Sequence, residues 1–329
     1  MEAAPDVRRA RWAITAIFAL NGALFASAFA RLPAIQDRTG ISEGQLGLAL
    51  LCAMLGLLSS QPVAGALVSR FGSRPVARAG AVGYALGLVP VALSDSFGAL
   101  GVSVVTHLSA AAVVGTLLAL ALSRLLLPPG ADAAPEGPRF ARPTRALALI
   151  GVFAICAVLS EGAVSDWAAI YLNDEVGTGE GTAAAGLAVF SLTMGVGRLA
   201  GDRLSEALGP ARLARGSGSL GAVGIALALL ADTPLVALAG FALTGLGLAA
   251  LFALALRAAA ARGDRPGPAV AAVSAMGYIG FLAGPPTIGG RAELVGLRAA
   301  LLLVVACCSL AAVLAGPVRA PQPASATAR

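Results

Sequence analysis

Lysine is absent from the 329 residues, and histidine occurs once, at His107. Charged residues make up 12% of the chain and aromatics 5%. A soluble domain uses roughly a quarter charged residues to keep its surface in water, so this shortage excludes a soluble fold of the same length. Cys52, Cys156, Cys307 and Cys308 are the four cysteines, and no CxxC or Cys/His ligand spacing joins them. All four fall inside apolar runs, where reduced, packed and inert thiols are expected, not a disulfide framework. No Ser/His/Asp or other nucleophile–base arrangement can be assembled, so the chain is read as a non-enzyme. The phrase GVGRLAGD (195–202) is not a phosphate loop, because no strand precedes it and the closing Lys-Ser/Thr is missing. No cofactor and no metal are expected.

What remains is oil and glycine. The chain is 58% hydrophobic with 41 glycines, and its mean hydropathy is +0.85. These values define a polytopic membrane protein. Small residues let helices approach closely in lipid, where dispersion and backbone contact drive association; a coding bias would produce the same alanine, glycine and all-arginine usage. The net charge of +6 does not signal nucleic acid, because the arginines form no patch and recur between apolar spans as membrane topology requires.

The first uncharged run, 12–30, is about one bilayer long. Its basic start and small residues Ala26, Ser27 and Ala28 resemble a signal peptide. The run is longer than a signal core of roughly 7–15 residues, so an uncleaved first span is expected. Further runs occupy 44–69, 79–94 and 96–123. The segment 127–145 is rich in proline, glycine and charge and reads as a central loop. Six more runs follow: 146–172, 181–197, 216–231, 233–256, 266–290 and 299–318. The expected architecture is an all-α integral membrane bundle of ten transmembrane helices. It comprises a shortened four-span bundle (1–126), the loop (127–145), a six-span bundle (146–318) and a disordered polar tail (319–329). With the N-terminus cytoplasmic, only Arg31, Arg38, Arg291 and Arg298 fall outside. That asymmetry places both termini inside.

Two phrases recur. The second span ends in Gly65-Ala-Leu-Val-Ser69-Arg70-Phe-Gly72-Ser73-Arg74. A later one ends in Gly197-Arg198-Leu-Ala-Gly201-Asp202-Arg203, followed by Gly209 and Arg212. Each is a glycine-rich helix end running into a short basic loop. Its arginines can hold a neighbouring helix C-terminus, which carries partial negative charge. This resembles the loop signature of the major facilitator superfamily, whose halves are repeats. The segments FALNGALFASAFARLPAIQDRTGISEGQLGLALL (18–51), EGAVSDWAAIYL (161–172) and FSLTMGVGRLAGDRL (190–204) resemble its fucose-permease-like branch. The resemblance implies a bacterial cytoplasmic-membrane secondary transporter for sugars or small polar metabolites, often proton-coupled. Its partners are then membrane lipids and a small solute, with the oligomeric state open. It also makes Gly65, Arg70, Gly72, Arg74, Asp202 and Arg203 cytoplasmic gating-loop residues.

One departure stands out. Arg70 and Arg203 are 133 positions apart, whereas six helices per half need roughly 180–200 at about 30 residues per span and loop. The family's fourth and fifth helices are the expected omission, with a junction near Asp95. Because the family's fourth helix lines the cavity, a degenerate or internally deleted permease that only binds a partner is the alternative reading.

Polar residues inside spans are costly and functional by default. Glu161 lies about 24 Å along a helix from Arg145 and Asp166 a turn or so further, about 140° apart around it. Both are candidate proton or substrate groups, Glu161 the stronger, and hydration near the outer surface is the plain alternative. Asn21, mid-span in the first helix, either binds substrate or makes an interhelical hydrogen bond. His107 is a proton shuttle or an interfacial residue, and Gln61-Pro62 a packed kink. Trp167 and Tyr171 suggest an outer aromatic belt, with stacking on a sugar the alternative for Trp167. Pro285-Pro286 are expected to break their helix as a gating bend or a static kink.

Overall fold

The computed structural model describes residues 29, 32–56, 144–262 and 266–319. The chain divides into two compact units, Met1–Glu136 and Gly137–Arg329. Among the described residues every regular element is a helix. Asn21, Gly65, Arg70, Gly72, Arg74, His107, Gln61-Pro62, most of the first-half spans and most of the central loop lie outside the described residues.

In the first unit, α1 (Leu32–Thr39) turns at Gly40, whose φ of 62° is a left-handed conformation natural to glycine, and α2 (Glu43–Gly56) follows. Ser42 and Gln45 form a reciprocal capping box. The Gln45 amide donates to Ser42 Oγ at 3.3 Å, and the Ser42 amide donates to Gln45 Oε1 at 3.1 Å. Cys52 on α2 is exposed, contrary to the packed thiol expected there.

The second unit opens with α3 (Arg145–Asp174). Its apolar residues run all round the helix, as suits an element enclosed by others or by lipid. Thr144 starts it, accepting from the Leu147 amide at 3.2 Å. Gly177, with φ 71°, lets the chain fold back, so that Thr178 N and Oγ1 both donate to Leu172 O. Next come α4 (Glu180–Leu208), α5 (Pro210–Leu229), α6 (Pro234–Leu248) and α7 (Leu251–Ala260). They are followed by α8 (Pro266–Val295), α9 (Leu297–Ala300) and α10 (Leu302–Val313), with a closing 3-10 turn at Gly316–Val318. Each of the six apolar runs expected between 146 and 318 lies on this set. Four helical stretches among the described residues are long and apolar enough to cross a bilayer: α3, α4, the α6–α7 pair and the body of α8.

Three expectations need correction. The run expected to end at Gly197 continues as helix to Leu208, and α5 starts at Pro210. Gly209, φ 79°, alone makes the turn. Arg198, Asp202, Arg203, Arg212 and Arg215 are therefore helical, not loop residues. Proline at the first position of α5 needs no amide partner, which makes so short a connection possible. Pro285 and Pro286 do not break their helix: α8 runs through them from Pro266 to Val295. The interruption falls instead at Ala249-Ala250, between α6 and α7.

Glycine builds the packing. Contacts run α5 to α6 and α10, α3 to α8 and α4, and α4 to α6. A Cβ on Gly224 would stand 2.5 Å from Thr244 N, and one on Gly240 would stand 2.5 Å from Ala228 N. The α5–α6 crossing is thus backbone against backbone. One on Gly218 would stand 2.7 Å from Ala312 N, and one on Gly280 would stand 2.6 Å from Ile155 O, which extends the same logic to α10 and to α3–α8.

Candidate functional site

Glu161 sits at the middle of α3, with 16 helical residues before it and 13 after. Its Oε1 accepts from Arg198 Nη2 at 2.7 Å. Because α3 and α4 are joined by a short turn and run antiparallel, two residues at matching depth meet. The ion pair therefore spans two membrane-length helices well away from their ends. One helical turn along α4, Asp202 pairs with Arg257 on the last turn of α7. Arg198 and Asp202, four apart, lie on one face of α4. The order Glu161, Arg198, Asp202, Arg257 is a ladder of alternating charge running from mid-span to a helix end. Neither pair is sealed: the Arg198 side chain is 54% exposed and that of Glu161 31%. Arg203, the other charged residue of the motif, is exposed on α4.

Beside this ladder is a cleft of about 450 Å³. Arg198, Gly201 and Asp202 form its α4 wall. The segment from Leu248 to Arg257, including the Ala249-Ala250 interruption and Phe252, forms the other. The break between α6 and α7 and the run of small residues there leave room that two continuous helices with bulky side chains would fill.

Asp166 and Trp167 are not near water. Asp166 is 3% exposed and Trp167 is fully buried. Asp166 Oδ2 and Trp167 Nε1 make no hydrogen bond among the described residues. The hydrated reading of Asp166 is thereby corrected. The outer aromatic belt is corrected too, since Tyr171 is also fully buried. The Tyr171 hydroxyl is within reach of Leu229 O at 3.1 Å and Ala228 O at 3.3 Å. It thus serves carbonyls at the C-terminal end of α5, where Ala228 O also accepts from the Ala231 amide at 3.4 Å. Its ring meets Phe241 edge-on at 6.3 Å and lies 5.8 Å from the Arg298 guanidinium, which also pairs with Glu175 at 3.5 Å. These aromatics join helices to one another instead of floating the bundle in the headgroup layer.

Glu161 and Asp166 fall on different faces of α3, as their spacing implies, and the structure does not bring them together. Cys156 and Cys308 are buried in the bundle, Cys307 is half-buried, and all are free thiols. Cys308 Sγ approaches Ser160 Oγ at 3.6 Å. Among the described residues no group of three or more His, Cys, Asp or Glu side chains is placed to hold a metal ion. Outside the spans, Arg262 binds the Ala258 and Arg319 carbonyls at 2.9 and 2.8 Å, tying the end of α7 to the end of the described chain. Burial pulls its pKa down from the usual arginine value, and two carbonyl acceptors hold the cation in place.

Sequence reasoning missed Arg198 and Arg257 as site residues, because both were assigned to loops. The usable signal was depth. In a hairpin of two spans, an acid 13 residues before the end of the first helix and a base 18 residues past the start of the second differ in height by about 7 Å at 1.5 Å per residue. That is within the combined reach of glutamate and arginine.

The geometry has counterparts elsewhere. Residues 147–329, more than half of the chain, match the model for the Major Facilitator Superfamily. An uncharacterised MFS-type transporter of Yersinia pestis is 30% identical over 340 residues, covering 84% of this chain and 88% of that protein. An uncharacterised transporter of Sinorhizobium fredii is 31% identical over 362 residues, covering 92% and 96%. The membrane protein MosC of Rhizobium meliloti is 38% identical over 167 residues, covering 49% and 40%. The membrane-length helices among the described residues, the glycine-rich GRLAGDR phrase on α4 and these matches lead to one assignment. The chain belongs to the major facilitator superfamily, a family of multi-pass membrane transporters and not of enzymes.

Proposed function

We propose that the protein is a secondary active transporter of a small polar solute, coupled to protons and working by alternating access in a bacterial cytoplasmic membrane. The observation that carries this reading is the Glu161–Arg198 pair. Two opposite charges at mid-span are costly in lipid unless they face a polar path, and such residues mark translocation routes. The pair is partly exposed and stands beside a cleft, so a solute or a proton can reach it. Glu161 exchanges partners during the cycle and Asp166 holds a proton within the bundle; Trp167 and, in the first half, Asn21 are the further candidates for solute contact. Asp202, latched to Arg257, and Arg203 act at the cytoplasmic side, and Gly65, Arg70, Gly72 and Arg74 carry the matching sequence phrase of the other half. Both termini are cytoplasmic, and the halves comprise four and six spans around the 127–145 loop. The motifs at 18–51, 161–172 and 190–204 favour the fucose-permease-like branch.

The test is uptake in proteoliposomes with an imposed pH gradient, screened over sugars and small metabolites. Gradient-driven accumulation that Glu161→Gln abolishes is the expected result. Accumulation identical in wild type and Glu161→Gln removes the role given to Glu161.

A second reading has its own support. The Yersinia match draws on 84% of a 329-residue chain yet runs over 340 aligned positions, a shortfall of about 60 positions, or two spans with their loops at about 20 residues per crossing. The Sinorhizobium match shows a similar shortfall. This favours a chain that lacks the family's fourth and fifth helices and has become a non-transporting membrane binding partner. Absence of accumulation for every solute in a correctly folded, monodisperse preparation selects it.

A further inference from the structure

The cleft between α4 and the α6–α7 break is lined in part by charged side chains. Three of its lining residues have charged side chains: Arg198, Asp202 and Arg257. Glu161, which partners Arg198, is not part of the lining. With Glu161 counted, two carboxylates match the two guanidinium groups, so what the cleft offers an anion is unused N–H donors and not a net charge. Arginine keeps its charge in any protein environment and carries five N–H donors. Arg198 uses Nη2 on Glu161, and Arg257 uses Nη2 on Asp202. Each guanidinium thus retains donors, and each remains about half exposed. The remaining wall is alanine, glycine, leucine and the ring of Phe252, which offers an apolar solute body a surface but no polar group to bind. A volume of about 450 Å³ falls within the usual range of small-molecule pockets.

We infer that this cleft binds a small organic anion, whose carboxylate is held by Arg198 and Arg257 while its body lies against Phe252. A guanidinium fork matches a carboxylate in shape and charge, and an arginine already paired can exchange one carboxylate for another without losing its hydrogen bonds. The incoming anion competes with Glu161 for Arg198. Glu161 is consequently the group displaced when solute arrives, not the group that binds it. A neutral sugar gains nothing comparable here, and an amine meets two arginines. The inference rests on the transporter reading only for its biological use, since the binding site itself lies within the second unit.

The experiment uses the full chain in nanodiscs of uncharged phosphatidylcholine. Binding of glucuronate and benzoate is measured by calorimetry and thermal shift against glucose, glucosamine and benzamide, which match them in size. The anions are expected to bind and the others to bind at least tenfold more weakly. Arg198→Gln and Arg257→Gln should each weaken anion binding tenfold or more, and Arg198→Lys should retain part of it. Glu161→Gln, which leaves the lining intact and removes the competitor, should tighten binding several-fold. Anion binding unchanged in both arginine variants overturns the site, as does preference for glucose or glucosamine. Nanodiscs containing phosphatidylglycerol separate the other source of an anionic group: stabilisation by that lipid with no response to soluble anions overturns the solute assignment. Anion binding without uptake in proteoliposomes leaves the site standing and removes transport. Uptake of a neutral sugar without anion binding does the reverse.

Discussion

Replacing Gly240 by alanine adds one methyl group at the α5–α6 crossing, and the structure sets its cost. The new Cβ would lie 2.5 Å from Ala228 N, 2.7 Å from Gly224 O and 2.8 Å from Ala228 Cα. All three are backbone atoms of α5, so no side chain can rotate out of the way. Ordinary contact is near 3.5–4.0 Å, so the helices must part by about 1 Å, weakening contacts on both sides of the crossing. Overpacking of this kind costs about 1–3 kcal/mol, and a wall made only of backbone puts Gly240 at the upper end. Alanine's helix propensity returns up to about 1 kcal/mol. The net loss is about 2 kcal/mol, which for a unit of this size lowers the melting temperature by roughly 4–8 °C. Gly195 on α4 is the control, because a Cβ there meets nothing within 4 Å. Gly195→Ala should be neutral or slightly stabilising. Thermal unfolding of the full chain in detergent, followed by size-exclusion fluorescence, reads both. Gly240→Ala melting at or above wild type, or Gly195→Ala falling as far as Gly240→Ala, refutes the glycine-seam argument.

Tyr171→Phe removes the hydroxyl that serves the last α5 carbonyls. It should cost about 1 kcal/mol, seen as a small fall in the same melt; no change shows that those carbonyls find another donor. Asp202→Asn should loosen the α4–α7 contact and reduce solute uptake. The double exchange Asp202→Arg with Arg257→Asp should recover part of it, and failure of any recovery argues against the pair as a latch. Asp166→Asn keeps shape while removing the ionisable group. The melt should be unchanged or higher, while pH-gradient-driven accumulation is lost; accumulation at the wild-type level excludes Asp166 as a proton carrier.

Helix identity was readable because apolar runs of bilayer length admit few alternatives. Helix ends were less readable. Arg198 and Asp202 read as the beginning of a loop because charge ordinarily ends a span, yet here each charge is neutralised by a partner on another helix, and the helix continues to Leu208. Pro285-Pro286 misled in the opposite direction: proline removes an amide donor but does not by itself end a helix already held between neighbours. The burial of Asp166 and Trp167 depends on which helices enclose α3, and a hydropathy pattern that is apolar all round does not encode that. Glu161 was legible as a candidate because an acid at mid-span is rare; its partner was not, because pairing is a property of the hairpin and not of either span.

The two kinds of contact around α4 divide the unit into a part that holds its spacing and a part that can change it. Up to Gly197, α4 meets α6 closely: a Cβ on Gly197 would stand 2.6 Å from Ala249 Cβ, and one on Gly245 would run into Phe190 O and Thr193 Oγ1. Backbone at that distance cannot slide or part by an ångström without losing its packing. Beyond Gly197 the character changes: Leu199 is 87% exposed, and the ion pairs of Arg198 with Glu161 and Asp202 with Arg257 tie the segment to other helices. Long side chains tolerate shifts of a few ångströms by changing rotamer, and exposed ion pairs add little rigidity, about 0–1 kcal/mol each. Movement should therefore concentrate in the Arg198–Leu208 segment against α7, while α5 and α6 move as one piece. Spin labels at Glu206 on α4 and Ala261 after α7 should report a distance that broadens or shifts in Asp202→Asn. Labels at Leu230 and Leu235, at the linked ends of α5 and α6, should report one that does not. Equal changes in both pairs would show that the glycine seam yields as readily as the ion pairs, and the division drawn from the packing would be wrong.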